Sequence, residues 1–152
     1  MHRVIISDTS CFIILSKINE LDLLKEVYGQ IVTTTEIANE FGETLPDWVE
    51  VLSVKDKLRQ QILEMQIDKG ESSAIALALE TTNSSIILDD YKARKVAKQL
   101  GLKFTGTLGV IIKAKLSGKI DSIKPLLLKI KLTDFRISIE LENQALSEAG
   151  EF

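Results

Sequence analysis

The chain has 152 residues, 45% of them hydrophobic and only 5% aromatic, with 19 basic and 22 acidic side chains and a net charge of −3. That size suits a single domain over residues 1–152, burying about 70% of its unfolded surface under a core of Leu, Ile and Val. No apolar run approaches the ~20 residues of a membrane span, and Asp8 interrupts the N-terminus too early for a signal peptide; the single cysteine, Cys11, excludes an internal disulfide and a cysteine zinc cluster, so a reducing cytoplasm is expected.

Val4-Ile5-Ile6 is an unbroken apolar run, which predicts a strand buried on both faces, as in a parallel sheet covered by helices. The run stops at Asp8, so a carboxylate stands at the carboxyl end of a strand, where open α/β sheets form their ligand crevice. Asp is also a favoured N-cap, here for a helix expected over 10–15. Within that apolar stretch Cys11 reads as a small core residue. Asn19 predicts the N-cap of a second helix with Leu21, Leu24 and Val27 on one face, ending at Gly29. A brief strand over 30–33 follows. Thr34 then caps a short helix that contains Ile37 and Phe41, ends at Gly42 and carries Glu36 and Glu40 on one face. After a loop broken by Pro46, residues 49–54 alternate like an edge strand. Trp48 is expected to pack under an amphipathic helix over 56–67, whose apolar positions are Leu58, Ile62, Met65 and Ile67.

Gly70 breaks the chain, and Glu71 falls in the first turn of a helix whose Ala74, Ala76 and Ala78 allow close approach to a sheet. Ile86-Ile87-Leu88 then repeats the logic of the opening, a short apolar strand ending at carboxylates. Asp90 is the expected N-cap of a helix over 91–100, and Asp89 the group pointing into the crevice. A strand over 102–104 leads to the turn 105–109, whose following helix, 110–116, offers free backbone N–H groups to a phosphate. Residues 120–148 read as helical, with Pro125 near the start of one segment and a break at Thr133-Asp134. Strands alternating with helices are the signature of βαβ units. Charge is partitioned along the chain: residues 92–131 hold eleven bases and one acid, Asp121, while residues 1–91 hold sixteen acids and seven bases. The basic stretch is either a solvated helix face or a phosphate-binding flank beside an acidic pocket.

The candidate acids are Asp8, Glu40, Glu71 and Asp89. The only histidine, His2, stands at the N-terminus, which argues against a Ser-His-Asp, Cys-His or histidine zinc site. Oxygen donors without nitrogen or sulfur partners suit Mg²⁺ or Mn²⁺, ions that activate water and stabilise charge on a phosphodiester. A nucleotide-binding Rossmann-like domain lacks support, because no glycine fingerprint follows the first strand.

The order Asp8-Thr9-Ser10, Glu40, Gly70-Glu71 through Ala74-Ile75-Ala76-Leu77-Ala78, Ile87-Leu88-Asp89, Lys92 through Ala97 and Gly106-Thr107-Leu108-Gly109 resembles the PIN-domain nucleases, over nearly the whole chain. Ala149-Gly150-Glu151 resembles the ending of one poorly characterised prokaryotic subfamily. The resemblance implies a three-layer α/β/α sandwich with a mostly parallel sheet and a Mg²⁺- or Mn²⁺-dependent ribonuclease. Such proteins are often homodimers, and often the toxin paired with an antitoxin protein. By position it implies Asp8, Glu40, Glu71 and Asp89 as metal ligands and Ser10, Asp90 and Thr107 as supporting groups. The family's usual acid inside the helix before the last strand stands here as Glu71, at that helix's start. Lys92, Arg94, Lys95, Lys98, Lys113 and Lys115 are expected to contact RNA phosphates. The alternative is a non-catalytic nucleic-acid-binding or protein-interaction module on the same fold.

Overall fold

The computed structural model describes residues 3–152. His2 lies outside the described residues. Five strands form one all-parallel sheet: β1 (Val4–Ser7), β2 (Ile31–Thr34), β3 (Val49–Leu52), β4 (Ser84–Ile87) and β5 (Phe104–Thr105), in the order β3-β2-β1-β4-β5. Nine helices alternate with them among the described residues: α1 (Thr9–Lys17), α2 (Leu23–Tyr28), α3 (Thr35–Phe41), α4 (Lys57–Leu63), α5 (Lys69–Leu79), α6 (Tyr91–Gln99), α7 (Thr107–Leu116), α8 (Lys124–Lys131) and α9 (Ile139–Glu148). On one side α5 packs against α3, α4 and α6; α7 packs against α1, α2 and α9, which completes the α/β/α sandwich.

The central strands carry the core. Ile6, Ile86 and Ile87 are fully buried, as an apolar run covered on both faces requires. β1 and β4 pair in register from Val4 opposite Ser84 to Ser7 opposite Ile87, so both chains leave the sheet at the same level. Chain order reverses between these two strands. That is the topological switch point, where a crevice opens beyond the carboxyl ends. At the edge, β3 buries Val49 and exposes Glu50, Val51 and Leu52.

The tight layer over the sheet comes from α5. Ser72, Ser73, Ala74 and Ala76 are buried there, and small side chains let the helix backbone approach the strands. The Ser73 hydroxyl lies 2.6 Å from that of Thr34 on β2 and donates to the Gly70 carbonyl at 2.6 Å, fixing the start of α5 against the sheet.

Three expectations from the sequence are corrected. Asn19 is not a helix cap: it takes a left-handed conformation (φ 59°) in the turn after α1, and α2 starts four residues later. Gly70 does not break the chain but sits inside the first turn of α5, behind the N-cap Asp68. Of the four apolar positions expected on a helix over 56–67, three face outward, with Leu58 67% and Met65 84% exposed and Ile62 exposed between them, and only Ile67 is buried. Leu63 and Gln60 are the buried positions of α4 itself, and Ile67 lies just beyond it. Gln60 is held there because its amide donates to Glu36 Oε2 at 2.8 Å and to Glu64 Oε2 at 3.1 Å.

Candidate active site

Asp8 follows β1 directly and is 3% exposed. Its Oδ1 accepts the Cys11 N–H at 2.9 Å and caps α1, while its Oδ2 accepts the Asp89 N–H at 3.0 Å. Capping and facing the crevice are thus two halves of one carboxylate. Burial, then the charges of Asp89 and, less strongly, Glu71 push its carboxyl well above the ordinary range, against the backbone hydrogen bonds from Cys11 and Asp89.

Asp89 is held by the start of α7. Its Oδ1 accepts the Thr107 N–H at 2.8 Å and its Oδ2 the Thr107 hydroxyl at 2.5 Å. The N-cap position of α7 is Gly106, which has no side chain to cap with; Asp89, just beyond the neighbouring strand β4, supplies the missing acceptor. A Cβ on Gly106 would come within 2.9 Å of Asp89 Oδ1. The backbone there is extended (φ −117°) and tolerates alanine, so only the carboxylate stands in the way. Gly106→Ala is therefore expected to retain the fold but to lose about 1 kcal/mol of capping energy, roughly 2–4 °C in Tm by thermal melting.

Glu40, at the end of α3, is exposed, and its Oε1 accepts the hydroxyl of the buried Thr9. A Cβ on Gly70 would lie 3.0 Å from that oxygen, so glycine leaves room for Glu40 beside the start of α5. Glu71, one residue on, is half-buried among acids. Burial, then the charges of Asp68 and Asp90, push it up to about 7. It lines a cavity of about 380 Å³ together with Asp90 and Lys92. Asp90 caps α6, its Oδ2 accepting the Ala93 N–H at 2.9 Å.

The supporting hydroxyls are Thr9, on Glu40, and Thr107, on Asp89. Ser10 instead lines a separate cavity with Ile13, Lys17 and Asp134. In the sequence Thr9 has no role of its own, because a Thr in an opening helical turn reads as a cap; Asp8 takes that task and leaves the Thr9 hydroxyl to Glu40. Cys11 is fully buried, and burial followed by the Asp8 and Asp89 charges pushes its thiol up, which suits a core residue rather than a nucleophile.

The basic residues divide among faces. Lys92 borders the Glu71 cavity. Arg94 lies over the Phe104 ring, 5.1 Å from its centroid, and lines a cavity that also reaches Asp89. Lys95 and Lys98 line the outer side of α6. Lys113 sits 4.9 Å from the Tyr28 ring centroid, and Lys115 pairs with Glu151 at 3.0 Å.

The profile of the PIN-domain family matches residues 4–151. The chain belongs to that family. Comparisons with curated proteins and with solved structures return no match. PIN domains are generally nucleases and typically use divalent metals, and the donors of this PIN domain suit such ions in kind, being carboxylate oxygens only. They are not preassembled: among the described residues no group of three or more His, Cys, Asp or Glu is gathered closely enough to hold a metal ion. Asp8, Glu40 and Asp89 each accept a hydrogen bond from a different neighbour, Cys11, Thr9 and Thr107. No helix among the described residues is long and apolar enough to cross a membrane.

Proposed function

We propose that this PIN domain is a metal-dependent endoribonuclease whose reaction takes place at Asp8 and Asp89. The observation that carries this reading is the hydrogen bond from Asp89 N–H to Asp8 Oδ2, which joins two acids at the switch point of the sheet, one of them buried and uncompensated. Capping the two helices does not require these charges to face one another, and their mutual repulsion opposes folding, as the raised Asp8 carboxyl shows. Asp8 and Asp89 would hold Mg²⁺ or Mn²⁺, with Glu71 and Glu40 reaching in from α5 and α3. The ion, when bound, lowers the pKa of a water and stabilises charge on the phosphodiester. Asp8 is oriented by the start of α1, Asp89 by Thr107, and Arg94 provides positive charge beside Asp89 for the RNA backbone. Action as the toxin of a toxin–antitoxin pair, homodimer formation and a cytoplasmic location belong to the same proposal.

A second reading, a nucleic-acid-binding module without catalysis, draws on the lack of a preassembled three-carboxylate cluster. Incubating labelled RNA with Mg²⁺, Mn²⁺ or a chelator separates the two. Cleavage is expected with either ion and none with chelator. Binding without cleavage under all three conditions would leave the second reading in place.

A further inference from the structure

Beside α6 lies a cavity of about 580 Å³ lined by Tyr91, Arg94, Lys95, Lys98, Gln99 and Phe104. The volume falls within the roughly 300–1,000 Å³ of small-molecule sites. No acid lines it. Elsewhere Lys17, Lys57, Lys115, Lys129 and Lys131 are paired with carboxylates, whereas among the described residues none of the α6 cations has an acidic partner. Tyr91 is 81% exposed, and no hydrogen bond or ring pair holds it among the described residues. Of the two rings lining this cavity, Phe104 is covered by the Arg94 guanidinium, and Tyr91 is free.

An exposed ring among unpaired cations has the chemistry of a base-stacking platform with phosphate contacts. The location fits as well. Tyr91 follows Asp89-Asp90 directly in the chain, and Arg94 and Phe104 line both this cavity and the neighbouring one, of about 450 Å³, that reaches Asp89. A polynucleotide crossing Arg94 from the acids would arrive at Tyr91. Its base would need a free face, which a duplex does not offer.

We propose that this cavity is a subsite for one nucleotide of a single-stranded RNA chain, with the base stacked on Tyr91 and the backbone held by Lys95 and Lys98. This rests on the reading of the neighbouring acids as a nuclease site, so it is tested by binding, without cleavage. The probe is a short fluorescein-labelled oligouridylate, titrated with the full chain in chelator and followed by anisotropy. Tyr91→Ala is expected to weaken binding about 5- to 100-fold with an unchanged salt slope, and Tyr91→Phe to bind as the parent does. Lys95→Gln with Lys98→Gln should weaken binding and lower the slope against salt by about 0.7 per lysine. Binding of an abasic oligomer or of a duplex should not respond to Tyr91→Ala.

No measurable binding by the parent, or Tyr91→Ala binding as the parent does, would overturn the proposal. So would an equal loss on the abasic oligomer or the duplex. Uridine monophosphate competing as tightly as the oligomer would overturn the assignment to a strand. Thermal melting of each variant checks that a loss of binding is not a loss of fold. The nuclease reading fails separately: a parent that never cleaves with Mg²⁺ or Mn²⁺, yet loses binding through Tyr91→Ala, retains the subsite without the catalysis.

Discussion

Asp89→Asn is expected to lower metal-dependent RNA cleavage about 100-fold or more while leaving Tm unchanged or slightly raised. The reason lies in Thr107. An asparagine places its amide oxygen on the Thr107 N–H and turns its NH₂ toward the Thr107 hydroxyl, which accepts as readily as it donates, so both bonds to α7 survive. Only the charge is lost, and with it one of the repulsions that push the Asp8 carboxyl up. A titration of Asp8 followed by NMR should therefore move to lower pH in this variant, whether or not the protein cleaves RNA. Asp8→Asn is the less clean probe. Asparagine caps α1 as well as aspartate does, but its NH₂ then faces the Asp89 N–H, and a buried donor left without an acceptor costs about 1–3 kcal/mol. Relief of a buried charge offsets part of that cost. Both variants should lose cleavage, and only Asp8→Asn should carry a stability cost. Parent-like cleavage by both would remove the nuclease assignment from this site.

The strand-then-acid pattern at Asp8 and Asp89 was legible because a buried parallel strand leaves an apolar run, and a carboxylate ending that run is conspicuous. Together with the order of the other motifs it carried the resemblance to the PIN family, which the family match over residues 4–151 bears out. Residues placed by tertiary contacts were not legible. Gln60 is buried with its amide donating to Glu36 of α3 and to Glu64 at the end of its own helix, while Leu58, Ile62 and Met65 face outward against their periodicity. That Asp89 caps α7 depends on Gly106 having no side chain, a relation spanning a strand and a turn. Thr9 has its role only because α3 brings Glu40 to it. The basic run looked uniform in sequence; α6, with its unpaired cations, and Lys115, committed to Glu151, become distinct only once the helices are placed.

Without metal, the protein should be more stable at pH 5 than at pH 8. An acid whose pKa is raised on folding contributes stability that is complete below its unfolded value and is lost as pH rises through the folded value. For Glu71 those values are 4.5 and about 7, the cause being burial followed by Asp68 and Asp90, so the loss falls between them. Asp8, also raised, contributes with the same sign. Glu71 is only half-buried, and solvent screening reduces its share to the order of 1 kcal/mol, or about 2–4 °C in Tm. Glu151 behaves oppositely. The Ser122 hydroxyl, the Ile123 N–H and Lys115 hold it down to about 2, so its contribution is present above 4.5 and is lost as pH falls toward 2. The two windows do not overlap, which lets one thermal-melting series in chelator resolve both. Glu71→Gln should flatten the fall between pH 5 and 8 and leave the acid limb alone, whereas Glu151→Gln should do the reverse. Adding Mn²⁺ at pH 8 should restore Tm in the parent, because a cation removes the repulsion that deprotonation creates. A parent whose Tm does not fall from pH 5 to 8 in chelator would show that these acids are not in electrostatic conflict.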